Sequence, residues 1–158
     1  MAPPARIPRE ELEQLAPVAV RFDALVSEDE GGCVFEKTVT MEDPGVAEQR
    51  VTAGWPHHLP GEQVIALTGQ AGFIVARRRG LIGDGWRGHG VRIVDARYSA
   101  PVLLGERLFA RVDVGRVRRL GQSVHVQFRF RMWKHDAERR EVETYRSEQH
   151  AIFFPPAV

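Results

Sequence analysis

Hydrophobic positions in the second half of the chain recur every second residue. Leu108, Ala110, Val112 and Val114 share one face, as do Val124, Val126, Phe128, Phe130 and Met132. Arg111, Asp113, Gln127, Arg129 and Arg131 fill the alternate positions. A period of two belongs to strands with one buried and one wet face. It predicts strands over about 106–118 and 123–134, and looser runs predict two more over 91–100 and 141–154. Leu120-Gly121-Gln122 and residues 135–138 supply hairpin turns, so a four-strand antiparallel meander is expected. Near the N-terminus, Val18, Val20, Phe22 and Leu25 predict a strand over 18–26. Val34, Thr38 and Val39 predict its hairpin partner over 33–41, with Gly31-Gly32 in the turn.

Between these regions the period changes. Val64, Ile65, Thr68, Ala71, Gly72 and Val75 follow three-and-four spacing, which predicts one long helix from Gly61 to about Arg79. Ala66, Gly69, Ala71, Gly72 and Ala76 make it rich in small residues. A glycine inside a helix costs about 1 kcal/mol against alanine. Gly69 and Gly72 therefore read as packing residues of a helix clasped by a curved sheet. Pro56 and Pro60 stiffen the loop before it, and Arg77, Arg78, Arg79 and Gly80 supply last-turn cations and a stop. Pro8, Glu10, Glu11 and Glu13 predict a short helix over about 8–15. The Pro-rich start is expected to be disordered or loosely docked. Residues 81–90, with four glycines, are expected to form a mobile connection.

A chain of 158 residues is one domain by default. We divide it into an N-terminal tail and short helix over 1–17 and the main domain over 18–158. A formal net charge of +1 gives no global electrostatic case for nucleic acid or an acidic membrane. Cys33, the single cysteine, excludes an internal disulfide and fits a reducing compartment. Residues 1–9 lack the apolar core of a secretory signal, and no stretch approaches membrane-span length, so the chain reads as soluble and cytoplasmic. Adjacent His57 and His58 side chains diverge, and no His-x-x-x-His or Cys-x-x-Cys supports them, so no metal is expected. Residues 83–90 lack the Gly-Lys-Ser/Thr of a phosphate loop, and no cofactor is implied.

One long helix wrapped by an antiparallel sheet is an α+β arrangement, the single hotdog fold, and specific residues carry a resemblance to it. Residues 95–108, Asp-Ala-Arg-Tyr-Ser-Ala-Pro-Val-Leu-Leu-Gly-Glu-Arg-Leu, resemble a strand and turn of beta-hydroxyacyl-[acyl carrier protein] dehydratases. Leu59-Pro60-Gly61 and Gln70-Ala71-Gly72 resemble that family's helix start and helix core. His58-Leu59-Pro60-Gly61 is similar to the His-x-Pro-Gly of the A-factor biosynthesis branch of hotdog proteins. The likeness spans roughly residues 51–154. It implies an acyl thioester on acyl carrier protein or coenzyme A as substrate, and a homodimer joined edge to edge.

The departures fall at the chemistry. In this alignment the dehydratase histidine corresponds to Thr52 and the helix carboxylate to Ala66, and neither moves protons. A relocated pair is read from His58, or its neighbour His57, as base and Glu62 as acid, Glu62 lying four residues before Ala66 on the same helical face. The amides of Gly61, Glu62 and Gln63 stand at the positive helix end, where they would polarise a thioester carbonyl. Gln70, from the resemblance, and His89, after the glycine-rich connection, complete the substrate-binding candidates. Arg77–Arg79 and Arg116, Arg118 and Arg119 are basic clusters that would suit an acidic carrier or its phosphates. Three functions stay open: a beta-hydroxyacyl-thioester dehydratase of fatty-acid or polyketide type, which leads on the resemblance, then a thioesterase or acyltransferase, and then a non-catalytic acyl-binding subunit.

Overall fold

The computed structural model describes residues 5–158. The expectation for the leader at Met1–Pro4 lies outside the described residues. From Ile7 onward the chain is docked. Strand β1 (Ile7–Pro8) pairs with β2 (Ala24–Glu28), and helix α1 (Arg9–Glu13) buries Leu12 completely. Strand β3 (Gly32–Thr38) completes the predicted hairpin with β2. Gly32 is needed there, since a Cβ would stand 1.9 Å from the Val112 carbonyl oxygen. Val20 and Phe22 are buried as their alternation requires, yet residues 18–23 are not strand. Asp23 instead receives the Arg9 guanidinium and the Thr38 amide.

Helix α2 (Gly61–Arg78) is the predicted central helix. Its buried face is broader than the spacing indicated, taking in Leu67, Phe73 and Ile74 beside Val64, Thr68, Ala71, Gly72 and Val75. A Cβ on Gly72 would meet the Phe128 ring at 3.3 Å, whereas one on Gly69 would meet nothing within 4 Å. Gly69 is therefore not a packing residue within the chain. Strands β4 (Arg87–Tyr98), β5 (Arg107–Leu120), β6 (Ser123–His135) and β7 (Glu141–Phe154) follow. Val124, Val126, Phe128, Phe130 and Met132 are each at most 2% exposed, as their period of two demands.

All strands join one seven-stranded antiparallel sheet in the order β1-β2-β3-β5-β6-β7-β4. The expected four-strand meander is corrected by this order: β5, β6 and β7 are consecutive neighbours, but β4 pairs with β7, not with β5. Alternation specifies which face a strand buries and leaves its neighbour unspecified. With β4 at one edge and β5 beside β3, residues 99–106 must cross the end of the sheet. That crossing passes over the start of α2.

Residues 81–86 are packed rather than loose. Ile82 is buried, Leu81 donates its amide to the Ala76 carbonyl, and Trp86 packs against the core. Among the described residues, no helix is long and apolar enough to cross a membrane.

Candidate active site

The crossing segment is stitched to the loop before α2. Leu59 donates its amide to Val102 O at 2.8 Å, Leu104 donates to His57 O at 3.0 Å, and His58 bridges Leu103. Gln49 clamps the same turn from the other side. Its Nε2 donates to His58 O at 2.8 Å, and its Oε1 accepts the His58 amide at 3.0 Å. The loop carrying Gln49 is itself anchored by a buried ion pair, Lys37 Nζ to Asp43 Oδ1 at 2.5 Å. A pair held this way is costly to break, because either partner alone would be an uncompensated buried charge.

These contacts enclose a cavity of about 520 Å³ at the N-terminal end of α2. Trp55, His58, Gly61, Val64, Tyr98 and Tyr145 are among its walls. The Trp55 ring meets the His58 imidazole edge-on, centroids 5.3 Å apart. His58 Nδ1 lies 3.1 Å from the Pro56 carbonyl. A carbonyl only accepts, so Nδ1 carries a proton in this arrangement, and in the neutral ring the lone pair is then on Nε2. His57 is turned elsewhere, with Nδ1 at 2.8 Å from Val46 O, and it does not line the cavity.

The helix start offers fewer free amides than the sequence suggested. Gln63 and Val64 both donate to Pro60 O, at 3.0 and 3.2 Å. Among the described residues the amides of Gly61 and Glu62 have no acceptor. Tyr98 roofs this end, its hydroxyl donating to Gly61 O at 3.1 Å. Partial desolvation of the otherwise exposed phenol, with Tyr145 and Glu62 nearby, raises the Tyr98 pKa, so the phenol holds its proton. Glu62 is exposed and outside the lining, so within one chain the cavity brings His58 to the amides without a carboxylate.

A second cavity, about 530 Å³, runs along the flank of α2. Gln63, Ala66, Gly69 and Gln70 line it from the helix, Phe128, Phe130 and Phe153 from the sheet, and His89 and Arg21 stand on its walls. Gln70 Oε1 accepts the Arg21 amide at 2.8 Å, which ties residues 17–21 across this side. Thus Gln63, Gln70 and His89 gather on the flank, while His58 and Gly61 gather at the helix end. Thr52 sits in a tight exposed turn bridged to Trp55.

Gln49 and Tyr98 carry no local signal. Gln49 is a lone glutamine in a polar loop, and only the fold reveals that it grips His58. The first basic cluster is largely spent: Arg77 pairs with Asp84, Arg78 with Glu28, and Arg79 bonds the Asp29 carbonyl. Arg116 and Arg118 line a groove on the outer sheet face with His125 and His150.

No protein-family model and no curated protein matches the chain. Solved structures do. The dehydratase heterocomplex ApeI:P from Xenorhabdus doucetiae matches with a TM-score of 0.64 at 13% identity, over 92% of this chain and 91% of that one. A hypothetical thioesterase from Streptococcus pneumoniae, solved with coenzyme A, matches with a TM-score of 0.58 at 12% identity, over 94% and 98%. A hot-dog-like protein from Thermanaerovibrio acidaminovorans matches with a TM-score of 0.52 at 16% identity, over 80% and 84%. At such identities the likeness speaks for the fold alone. With one long helix enclosed by a single antiparallel sheet, and with these structures matched along most of its length, the chain is a hotdog-fold protein.

Proposed function

We propose that this protein processes acyl thioesters carried on acyl carrier protein or coenzyme A, in the cytoplasm and as a homodimer. The observation that carries the reading is the cavity at the start of α2, which His58 and Gly61 both line and where the amide of Gly61, like that of Glu62 beside it, has no acceptor among the described residues. The Gly61 and Glu62 amides would hold the thioester carbonyl at the positive helix end. In the dehydration reading, His58 Nε2 takes a proton from the α carbon and negative charge gathers on the amide-bound oxygen. The α–β double bond then forms as the β C–O bond breaks, and the hydroxyl leaves as water with a proton from Glu62.

Hydrolysis is the second reading, and the absence of a carboxylate from the cavity lining favours it. There His58 takes a proton from water, the hydroxide attacks the carbonyl, and the same amides hold the tetrahedral oxyanion. The carbon–sulfur bond then breaks and the thiolate leaves.

The test is incubation with paired β-hydroxyacyl and saturated acyl thioesters, following enoyl absorbance and free thiol. Enoyl product without thiol supports dehydration, and thiol from both substrates supports hydrolysis. Neither product would overturn the enzymatic reading in favour of an acyl-binding subunit.

A further inference from the structure

Beside the helix-end cavity the pairing of β6 with β7 slips. Met132 pairs with Tyr145 but Trp133 pairs with Glu143, so Thr144 is an extra residue on β7, a bulge. Bulges re-aim side chains, and this one turns two successive residues inward. Thr144 and Tyr145 are 3% and 1% exposed, while Glu143 faces out to Arg131 and Arg146. Both inward residues line the cavity together with His58 and Gly61. The Thr144 carbonyl accepts the Ser99 amide at 2.9 Å, which fixes the bulge against the crossing segment.

The Thr144 hydroxyl oxygen is buried and has no hydrogen-bond partner among the described residues. Arg79 Nε shares that state, but its guanidinium already bonds the Asp29 carbonyl at the other end of α2. A buried hydroxyl without a partner forfeits its solvation, and folded proteins rarely leave one so. Valine would fill the same space without that cost, so the hydroxyl calls for a partner from outside the chain. The cavity limits what that partner is. No lysine, arginine or carboxylate is among its lining residues, so nothing there would balance an ionised group. A hydroxyl both donates and accepts, and it suits a neutral oxygen or an amide.

We propose that Thr144 is a ligand-binding residue of the helix-end site, and that its hydroxyl holds one uncharged hydrogen-bonding group of the bound thioester. Two parts of such a molecule carry that chemistry, an oxygen on the acyl chain and an amide of the pantetheine arm. The inference rests on the acyl-thioester reading for the identity of the ligand, while the unpartnered hydroxyl stands independently of it.

Isothermal calorimetry with three amides, far less reactive than thioesters, tests this without turnover and separates the two sources. They are N-ethyloctanamide, N-ethyl-3-hydroxyoctanamide, and octanoyl pantetheine with nitrogen in place of sulfur. The parent is expected to bind the second or the third about threefold to tenfold tighter than the first. A gain with the hydroxyamide assigns the acyl oxygen, and a gain with the pantetheine analogue assigns the arm. Thr144→Val is expected to erase that gain and leave N-ethyloctanamide binding unchanged. It is also expected to melt no lower than the parent, because the chain itself gives the hydroxyl no partner. Thr144→Ser, which keeps a hydroxyl, is expected to keep the gain. No binding of any amide, no gain in the parent, a gain that survives Thr144→Val, or an equal loss with all three amides would overturn the proposal. Melting of Thr144→Val clearly below the parent would do the same, by revealing a partner within the chain. Turnover in the thioester assay without these gains would sink this inference and keep the enzymatic reading. The expected selectivity in a protein inert in that assay would do the reverse.

Discussion

The two adjacent imidazoles are separated by what their Nδ1 atoms touch. His58 is fixed by the Gln49 clamp and the Leu103 bridge so that its ring borders the cavity, while His57 bonds Val46 O. Positioned acid–base groups contribute roughly 10²–10⁴-fold, so His58→Ala is expected to lower turnover by about that factor with the fold intact. His57→Ala is expected to change little, and Glu62→Gln to slow dehydration more than it weakens binding. Turnover of the three variants on a thioester selected by the substrate panel checks this, and full activity in His58→Ala would end the catalytic assignment. Cys33 makes a contrasting case. Its side chain is fully buried against β5, and burial pushes the thiol up to about 12. The folded state therefore holds this proton more tightly than the unfolded chain, whose thiol ionises near its ordinary 9.0. The stability this contributes is complete below about pH 9 and is lost as pH rises toward 12. A maleimide is expected to label Cys33 only on unfolding. Labelling of the native protein at the rate of a free cysteine peptide would contradict this burial.

At the scale of elements, the central helix divides its small residues by role. Gly72 faces Phe128 so closely that Gly72→Leu must displace the ring, and overpacking of this kind costs about 1–3 kcal/mol. Gly69 has open space, so Gly69→Ala is expected to stabilise the helix by about 1 kcal/mol. Thermal melting of the pair checks both signs, and a Gly72→Leu variant melting like the parent would refute the clasped helix. Helix α2 and the long strands were legible because their periods reflect burial, from Val64 to Val75 in one case and Val124 to Met132 in the other. The place of β4 was not legible, because pairing with β7 depends on a contact distant in sequence. The same limit governs the site. His58 stood out through its spacing from Pro60 and Gly61. Gln49 and Tyr98 reach their places only through long-range pairing, and nothing local marks them. Gln63 shows the opposite error: its amide looked free by position but is bonded to Pro60 O.

Among the described residues the whole molecule leaves one long edge open. Strand β4 has a neighbour on one side only, and eleven of its twelve residues are exposed, with Val94 the exception. Val91, Ile93 and Tyr98 are 52%, 45% and 55% exposed. Within Arg87–Tyr98 there is neither lysine nor proline, the residues that most often blunt an edge. An uncovered edge of this length is a template for another strand, and in the proposed homodimer a second β4 would pair there by two-fold symmetry. Such pairing would extend the sheet across two chains and cover the apolar side chains that a lone chain leaves in water. A stable interface buries about 800 Å² on each partner, more than strand pairing alone provides, so surfaces beside β4 are expected to join in. Tyr98 ends β4 and roofs Gly61, which links the edge to the helix-end cavity. Light scattering at micromolar concentration is therefore expected to give twice the single-chain mass of 17.8 kDa. Placing lysine at both Val91 and Ile93 is expected to shift that mass toward one chain and to lower turnover with it, because the strand that carries Tyr98 would lose its proposed partner. A parent protein that scatters as a single chain would sink the dimer. A lysine variant that separates into single chains yet keeps full turnover would uncouple the edge from the site.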